Sequence, residues 1–175
     1  MPAPSSFARS TPDLDTLLAG ARQLQGAGAG APVRSLLNGK NLGLVCEDEE
    51  TDEARLFREA ATALGARVTH IRVGVSQFDT SDGDALAHTA RVLGRLYDGI
   101  ECQGLSTVLI DRLRREAGVP VFDGLASNRH PTALLAGQLG GAEPLEARRL
   151  LVLQAALLYA LLVLDPTHGL SLGRA

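Results

Sequence analysis

The sequence predicts an α/β domain, a four-stranded parallel sheet wound with helices on both faces, and three observations carry that expectation. Short apolar or β-branched runs alternate with amphipathic stretches at helical spacing from Asn41 to Phe122. Every connection between runs is long enough for a right-handed crossover, which parallel strands require. The chain has 175 residues, enough for one core that buries about 70% of the unfolded surface, so a single domain is the default.

Residues 1–10 carry prolines and serines without periodicity and read as a loose tail. The domain proper is expected over 11–175. Thr11 is expected as an N-cap and Pro12 as the first helical residue of a helix reaching Gln25, with Leu14, Leu17, Leu18, Ala21 and Leu24 on one face. The Gly26 to Pro32 segment, GAGAGAP, reads as a flexible joint. Asn41 to Cys46 is an apolar run after a Gly-Lys turn and predicts a strand buried on both faces.

A helix from Thr51 to Leu64 follows, with Ala54, Phe57, Ala61 and Leu64 turned inward and Gly65 ending it. Arg67 to Val73 alternates and is β-branched, giving the second strand. The polar loop from Gly74 to Gly83 leads to a helix with Ala90, Leu93, Leu96 and Tyr97 on its apolar face, and Asp98-Gly99 hands over to the third strand. Leu105 to Ala117 is the next helix, with Gly118 as its cap, and Val119 to Phe122 the fourth strand. The expected strand order is 2-1-3-4. Pro144 to Leu164 is a long apolar helix packed on this unit, and Ala155, Leu158 and Leu162 with their opposite-face partners make it apolar nearly all round, which suggests burial on both sides.

Composition excludes several classes. The net charge is −3 and charges of both signs are spread along the chain, without the basic face a nucleic-acid backbone needs. The apolar run Leu150 to Leu164 falls short of the roughly 20 residues that cross a bilayer, so no membrane span is expected. Two cysteines make no disulfide framework, and no apolar leader precedes residue 40, which points to a reducing cytoplasm. Gly39, Gly43, Gly94 and Gly99 do not form a dinucleotide fingerprint, and no cofactor is expected.

In open sheets of this kind ligands lie beyond the carboxyl ends of the strands, where strand order reverses. Glu47 to Asp52, Gly74 to Ser76, Glu101 to Gly104 and Asp123 to His130 converge there. At this point the sequence resembles a known family. The stretch AHTARVLGRLYDGIECQG from Ala87 to Gly104, with LLNGKNLGLV, LGARVTHI, AGVPVFDGL and HPTALLAG, closely resembles the carbamoyl-phosphate-binding half of ornithine and aspartate carbamoyltransferases, from about Thr11 to Leu139. The helix at Thr11 to Gln25 agrees with an N-terminal helix that packs against this half in the family.

The resemblance implies a crevice for a small dianion, held by cations, a helix N-terminus and donors to the carbamoyl oxygen. The family's Ser-Thr-Arg-Thr-Arg motif falls on Glu50, Thr51, Asp52, Glu53 and Ala54. Its Lys-Gly-Glu-Ser/Thr loop corresponds best to Asp82, Gly83, Asp84 and Ala85, in a register shifted by a length difference. The arginine after the third strand is Gln103. His-Pro-Thr-Gln becomes His130, Pro131, Thr132 and Ala133, beside an expected cis-proline. The candidate crevice residues are therefore Thr51, Asp52, Gln103, His130 and Thr132, with no catalytic and no metal-ligating residue. After Leu139 the family's amino-acid-binding motifs have no counterpart, and Pro144 to Leu164 looks like the family's closing helix.

These departures point to a chain without the chemistry: a pseudoenzyme acting as an oligomeric or regulatory subunit. The family implies a homotrimer, and a paralogous active carbamoyltransferase is a further candidate partner. Two other readings stay open: a binding protein or altered enzyme holding a neutral or cationic ligand through Thr51, His130 and nearby acids, and a working transferase completed by another subunit. The acids Glu47, Asp48, Glu49, Glu50, Asp52 and Glu53 read first as a solvated helix start and second as a cation site. His130 reads equally as a donor to a ligand or as scaffold. Cys46 and Cys102 read first as small buried hydrophobes and second as a thiol pair at the crevice. His70 and His88 have no partner at metal-ligand spacing and read as surface or packing residues.

Overall fold

The computed structural model describes residues 13–28, 33–72 and 83–163. Thr11, Pro12, the tail 1–10 and most of the Gly74 to Gly83 loop lie outside the described residues. Four strands, β1 (Asn41–Cys46), β2 (Arg67–Arg72), β3 (Gly99–Cys102) and β4 (Val121–Asp123), form one parallel sheet in the order β2-β1-β3-β4. That is the expected order. The central strands β1 and β3 are buried along nearly their whole length, whereas the edge strands β2 and β4 are partly exposed.

Side chains alternate across the sheet and so divide the core in two. Leu42, Leu44 and Cys46 point to the layer formed by α1 (Leu14–Ala27), α2 (Asp52–Ala63), α5 (Thr132–Leu139) and α6 (Leu145–Leu158). Val45, Ile100 and Cys102 point to the layer formed by α3 (Gly83–Leu96) and α4 (Thr107–Glu116). The two layers lie on opposite faces, as a doubly wound sheet requires. Helices α3 and α4 approach so closely that a Cβ on Gly94 would sit 1.7 Å from the Ala117 carbonyl oxygen. Only glycine fits at that crossing.

Boundaries of three elements differ from the sequence expectation. Asp13 caps α1, its carboxylate accepting from the Thr16 N–H at 2.6 Å, and the helix runs on to Ala27 through a glycine expected in the joint. The side chain of Gln25 donates to Gly140 O at 3.1 Å and to Glu143 Oε2 at 2.9 Å, and these tertiary bonds hold the helix end against weak propensity. Ser106 starts α4 later than expected, and β4 begins at Val121 because Pro120 offers no N–H. Leu96, expected inward, is 60% exposed.

In the stretch expected to be helical from Pro144 to Leu164 lies α6, and a π-helical segment, Tyr159–Val163, continues it. Six successive residues, Val152 to Leu157, are buried, since α1, α2 and α5 surround the helix. Its apolar circumference is thus covered largely from within the chain. Among the described residues no helix is long and apolar enough to cross a membrane.

Candidate functional site

Strand order reverses between β1 and β3, so the crevice opens beyond Cys46 and Cys102. The start of α2 forms one wall. The loop 124–131, hung from β3 by the Gly124 N–H donating to Cys102 O at 2.8 Å, forms the other.

Thr51 is the N-cap of α2. Its hydroxyl oxygen accepts from the Ala54 N–H at 3.1 Å and stands 3.5 Å from Asp48 O, so both of its hydrogen-bonding roles serve the helix start. Asp52 projects into solvent with its side chain 92% exposed, ion-paired to Arg55 one turn on. Ala54 is fully buried in the core. The charge reversal expected at Asp52 is therefore milder than the sequence implies, because Arg55 accompanies it.

The remaining acids of this run are dispersed. Asp48 accepts from the Glu50 N–H at 2.9 Å, while Glu49 pairs with Arg58 at 3.1 Å and lies 3.6 Å from His70 Nδ1. They form a helix start with local partners, and among the described residues no three His, Cys, Asp or Glu side chains converge as a metal site would need. His70, expected as a surface or packing residue, is half-buried with Nε2 3.0 Å from Cys46 O.

Gln103 is turned inward. It is buried, and its amide donates to Glu101 Oε1 at 3.3 Å. Glu101 is fully buried, takes that amide on Oε1, and leaves Oε2 without a hydrogen-bond partner. Burial pushes its carboxyl up to about 8 from an ordinary 4.5, so at neutral pH it is mostly a protonated acid. Sequence reasoning placed the segment from Glu101 at the crevice but left Glu101 out of the candidate residues, although a carboxylate inside the run Gly99-Ile100-Glu101-Cys102 was the available signal.

His130 and Thr132 come together. His130 Nδ1 is 2.8 Å from Thr132 Oγ1, and that buried hydroxyl donates to Leu125 O at 3.0 Å. Burial lowers the His130 pKa, against a smaller opposing pull from Asp123, so the ring is neutral at physiological pH. The expected cis-proline is absent, since no peptide bond among the described residues is cis.

Cys46 and Cys102 are both free and buried. Their strands are neighbours but their side chains face opposite layers, which rules out the thiol pair. Burial raises both thiol pKa values, that of Cys102 to about 12, so neither is a ready thiolate.

Beside the crevice lies an open groove of about 500 Å³ lined by Asp52, Arg55, Leu56, Asn128, Glu146 and Arg149, with Leu145 at its rim. Arg149 donates to Ala126 O at 2.6 Å, tying the loop to α6.

A parallel doubly wound sheet with a polar crevice at its reversal point, walled by a helix N-terminus and a His-Pro-Thr loop, defines a doubly wound α/β domain. Residues 6–139 match the model of the aspartate/ornithine carbamoyltransferase carbamoyl-phosphate-binding domain. The chain belongs to that family. Ornithine carbamoyltransferase from Pyrococcus furiosus superposes with a TM-score of 0.60 at 27% identity, over 75% of this chain and 41% of that one. The enzyme of the same name from Gloeobacter violaceus gives 0.52 at 28%, over 71% and 38%. The catalytic subunit of M. jannaschii aspartate transcarbamoylase shares the fold at 24% identity, with a TM-score of 0.54 over 70% and 40%. The chain thus spans about two fifths of the length of these solved relatives.

Proposed function

We propose that this chain is a catalytically inactive carbamoyltransferase-like domain whose crevice does not take carbamoyl phosphate, and that it acts as an oligomeric or regulatory subunit. The single observation that carries this is the inward turn of Gln103 onto Glu101: where the family pattern calls for a cation facing the ligand, the chain has a buried amide bonded to a buried acid. One cation about 4 Å from a phosphate is worth roughly 4 kcal/mol at an effective dielectric near 20. At about 1.4 kcal/mol per factor of ten, its loss removes close to three powers of ten in affinity. Arg55 does not restore it, since that guanidinium is committed to Asp52. The hydroxyl of Thr51 is likewise committed, to the helix cap.

Isothermal titration calorimetry with carbamoyl phosphate tests this reading. No saturable heat is expected, and saturable binding at millimolar or lower concentration overturns it. The single domain over 11–175 and a homotrimer, alone or mixed with an active paralogue, belong to the same proposal. Exposed Val92 and Leu96, one turn apart on α3, support an interface there.

The open groove favours a second reading, in which the domain holds another small ligand. It is lined by groups of both signs, Asp52 and Glu146 with Arg55 and Arg149, and by the amide of Asn128, and so suits a molecule carrying both charges. A thermal-shift screen over amino acids, amines and inorganic phosphate tests it, and a flat response to all three classes removes it.

A further inference from the structure

The chain has three asparagines, and their settings differ. Asn41 lies in β1, where its Oδ1 accepts from Arg67 Nε at 2.9 Å and bulky Leu42 follows it. Asn128 is followed by Arg129 in the loop beside the crevice. Asn38 alone precedes a glycine. It is exposed in the turn between the short helical segment Val33–Ser35 and β1. Gly39 is exposed too, at φ 83°, and a Cβ there would meet nothing within 4 Å beyond its chain neighbours. The flanking backbone N–H groups are engaged, Asn38 with Ser35 O at 3.1 Å and Lys40 with Leu37 O at 3.0 Å. Among the described residues no backbone carbonyl accepts from the Gly39 N–H.

We propose that Asn38–Gly39 is a self-modifying site: the Gly39 backbone nitrogen attacks Asn38 Cγ, and the side chain becomes aspartate or isoaspartate without an enzyme. Asparagine belongs to the thermolabile side chains, and a following glycine lacks the Cβ that would obstruct ring closure. The bond from Gly39 N to Asn38 Cγ forms as the Cγ–Nδ2 bond breaks. The Gly39 proton leaves with the amide as ammonia, and a cyclic imide remains. Water then adds to either imide carbonyl. Attack at Cγ gives an aspartate on an ordinary backbone, whereas attack at the main-chain carbonyl carbon routes the backbone through the side chain as isoaspartate. The fold gives this second product a consequence. Leu37 is fully buried and its N–H donates to Leu64 O at 2.8 Å, while Lys40 on the other side pairs with Asp98 at 3.1 Å. The isoaspartyl link adds a methylene to the main chain between these two anchors. In the native turn Asn38 Oδ1 and Arg34 O both lie against Gly65, between α2 and β2, and close packing there does not absorb a longer chain. The inference holds whichever ligand, if any, the crevice takes.

Ageing the full chain in warm, mildly alkaline buffer, followed by peptide mapping with mass spectrometry, tests the site. The peptide carrying Asn38 should gain the mass difference between an amide and an acid and resolve into two products, with enzymatic carboxyl methylation marking the isoaspartyl one. Its conversion should run several-fold ahead of that at Asn41 and Asn128. Equal conversion at either of those positions overturns the proposal. So does an Asn38 that stays an amide to the end of the series while the same chain unfolded in urea converts there, since the native turn would then protect it. The isoaspartyl form, separated by ion exchange, should unfold at a lower urea midpoint than the unmodified chain. A midpoint equal to or above that of the unmodified chain overturns the structural consequence.

Discussion

Between pH 4.5 and about 8 Glu101 keeps a proton in the folded chain that it gives up in the unfolded one. The folded state then binds more protons, so stability falls as pH rises through that window and levels off above it. The slope is at most about 1.4 kcal/mol per pH unit. Urea unfolding at pH 6 and pH 8 should show the loss in wild type, with this component missing from Glu101→Gln. Thr51 sits at the other end of the crevice and does a different job. Thr51→Ala should cost about 1 kcal/mol through the lost cap, measured as a lower urea midpoint with unchanged slope. Both residues show what the sequence could express at this scale. The T-x-x at the start of an apolar period announces a helix cap, because capping is local chemistry. Glu101 is buried by tertiary packing over the end of β3, which no local spacing rule in the chain expresses.

At the level of helices and strands the sequence was most legible where periodicity was unmixed. The buried run Asn41 to Cys46 and the amphipathic Thr51 to Leu64 segment came out almost to the residue, since each follows one repeat from end to end. The end of α1 and the start of β4 were less legible, because a tertiary bond from Gln25 and a proline just before the strand decide them. Gly94 belongs to this scale too. In sequence it is one glycine inside a helix, a mild defect. In the fold it is the contact point of α3 with the Ala117 carbonyl. Gly94→Ala should therefore destabilise, despite alanine's better helix propensity, by about 1 to 3 kcal/mol, as overpacking does. A urea titration reads the sign at once, and a more stable variant would show that the two helices separate without cost.

For the molecule as a whole, the sheet order and its two layers were predictable from alternation and crossover length. The occupancy of the crevice was not. The sequence showed cations replaced by acids and so implied a negative cradle, whereas Asp52 swings outward with Arg55 and Gln103 turns in. What an anion meets is a surface short of positive charge, with little active repulsion. Light scattering at micromolar concentration tests the assembly proposed above, with three chains per particle expected, and a persistent monomer would remove the oligomeric role.

The β-sheet also partitions the two thiols, one into each layer, with neither ionised. An alkylating reagent can reach Cys46 only when the α1, α2, α5 and α6 side comes apart, and Cys102 only when α3 and α4 lift away. Mass-resolved labelling of the pair is therefore a built-in stopwatch for each half of the core, run in a single tube. Equal times would mean that the protein breathes as one body, and unequal times would name the half that yields first.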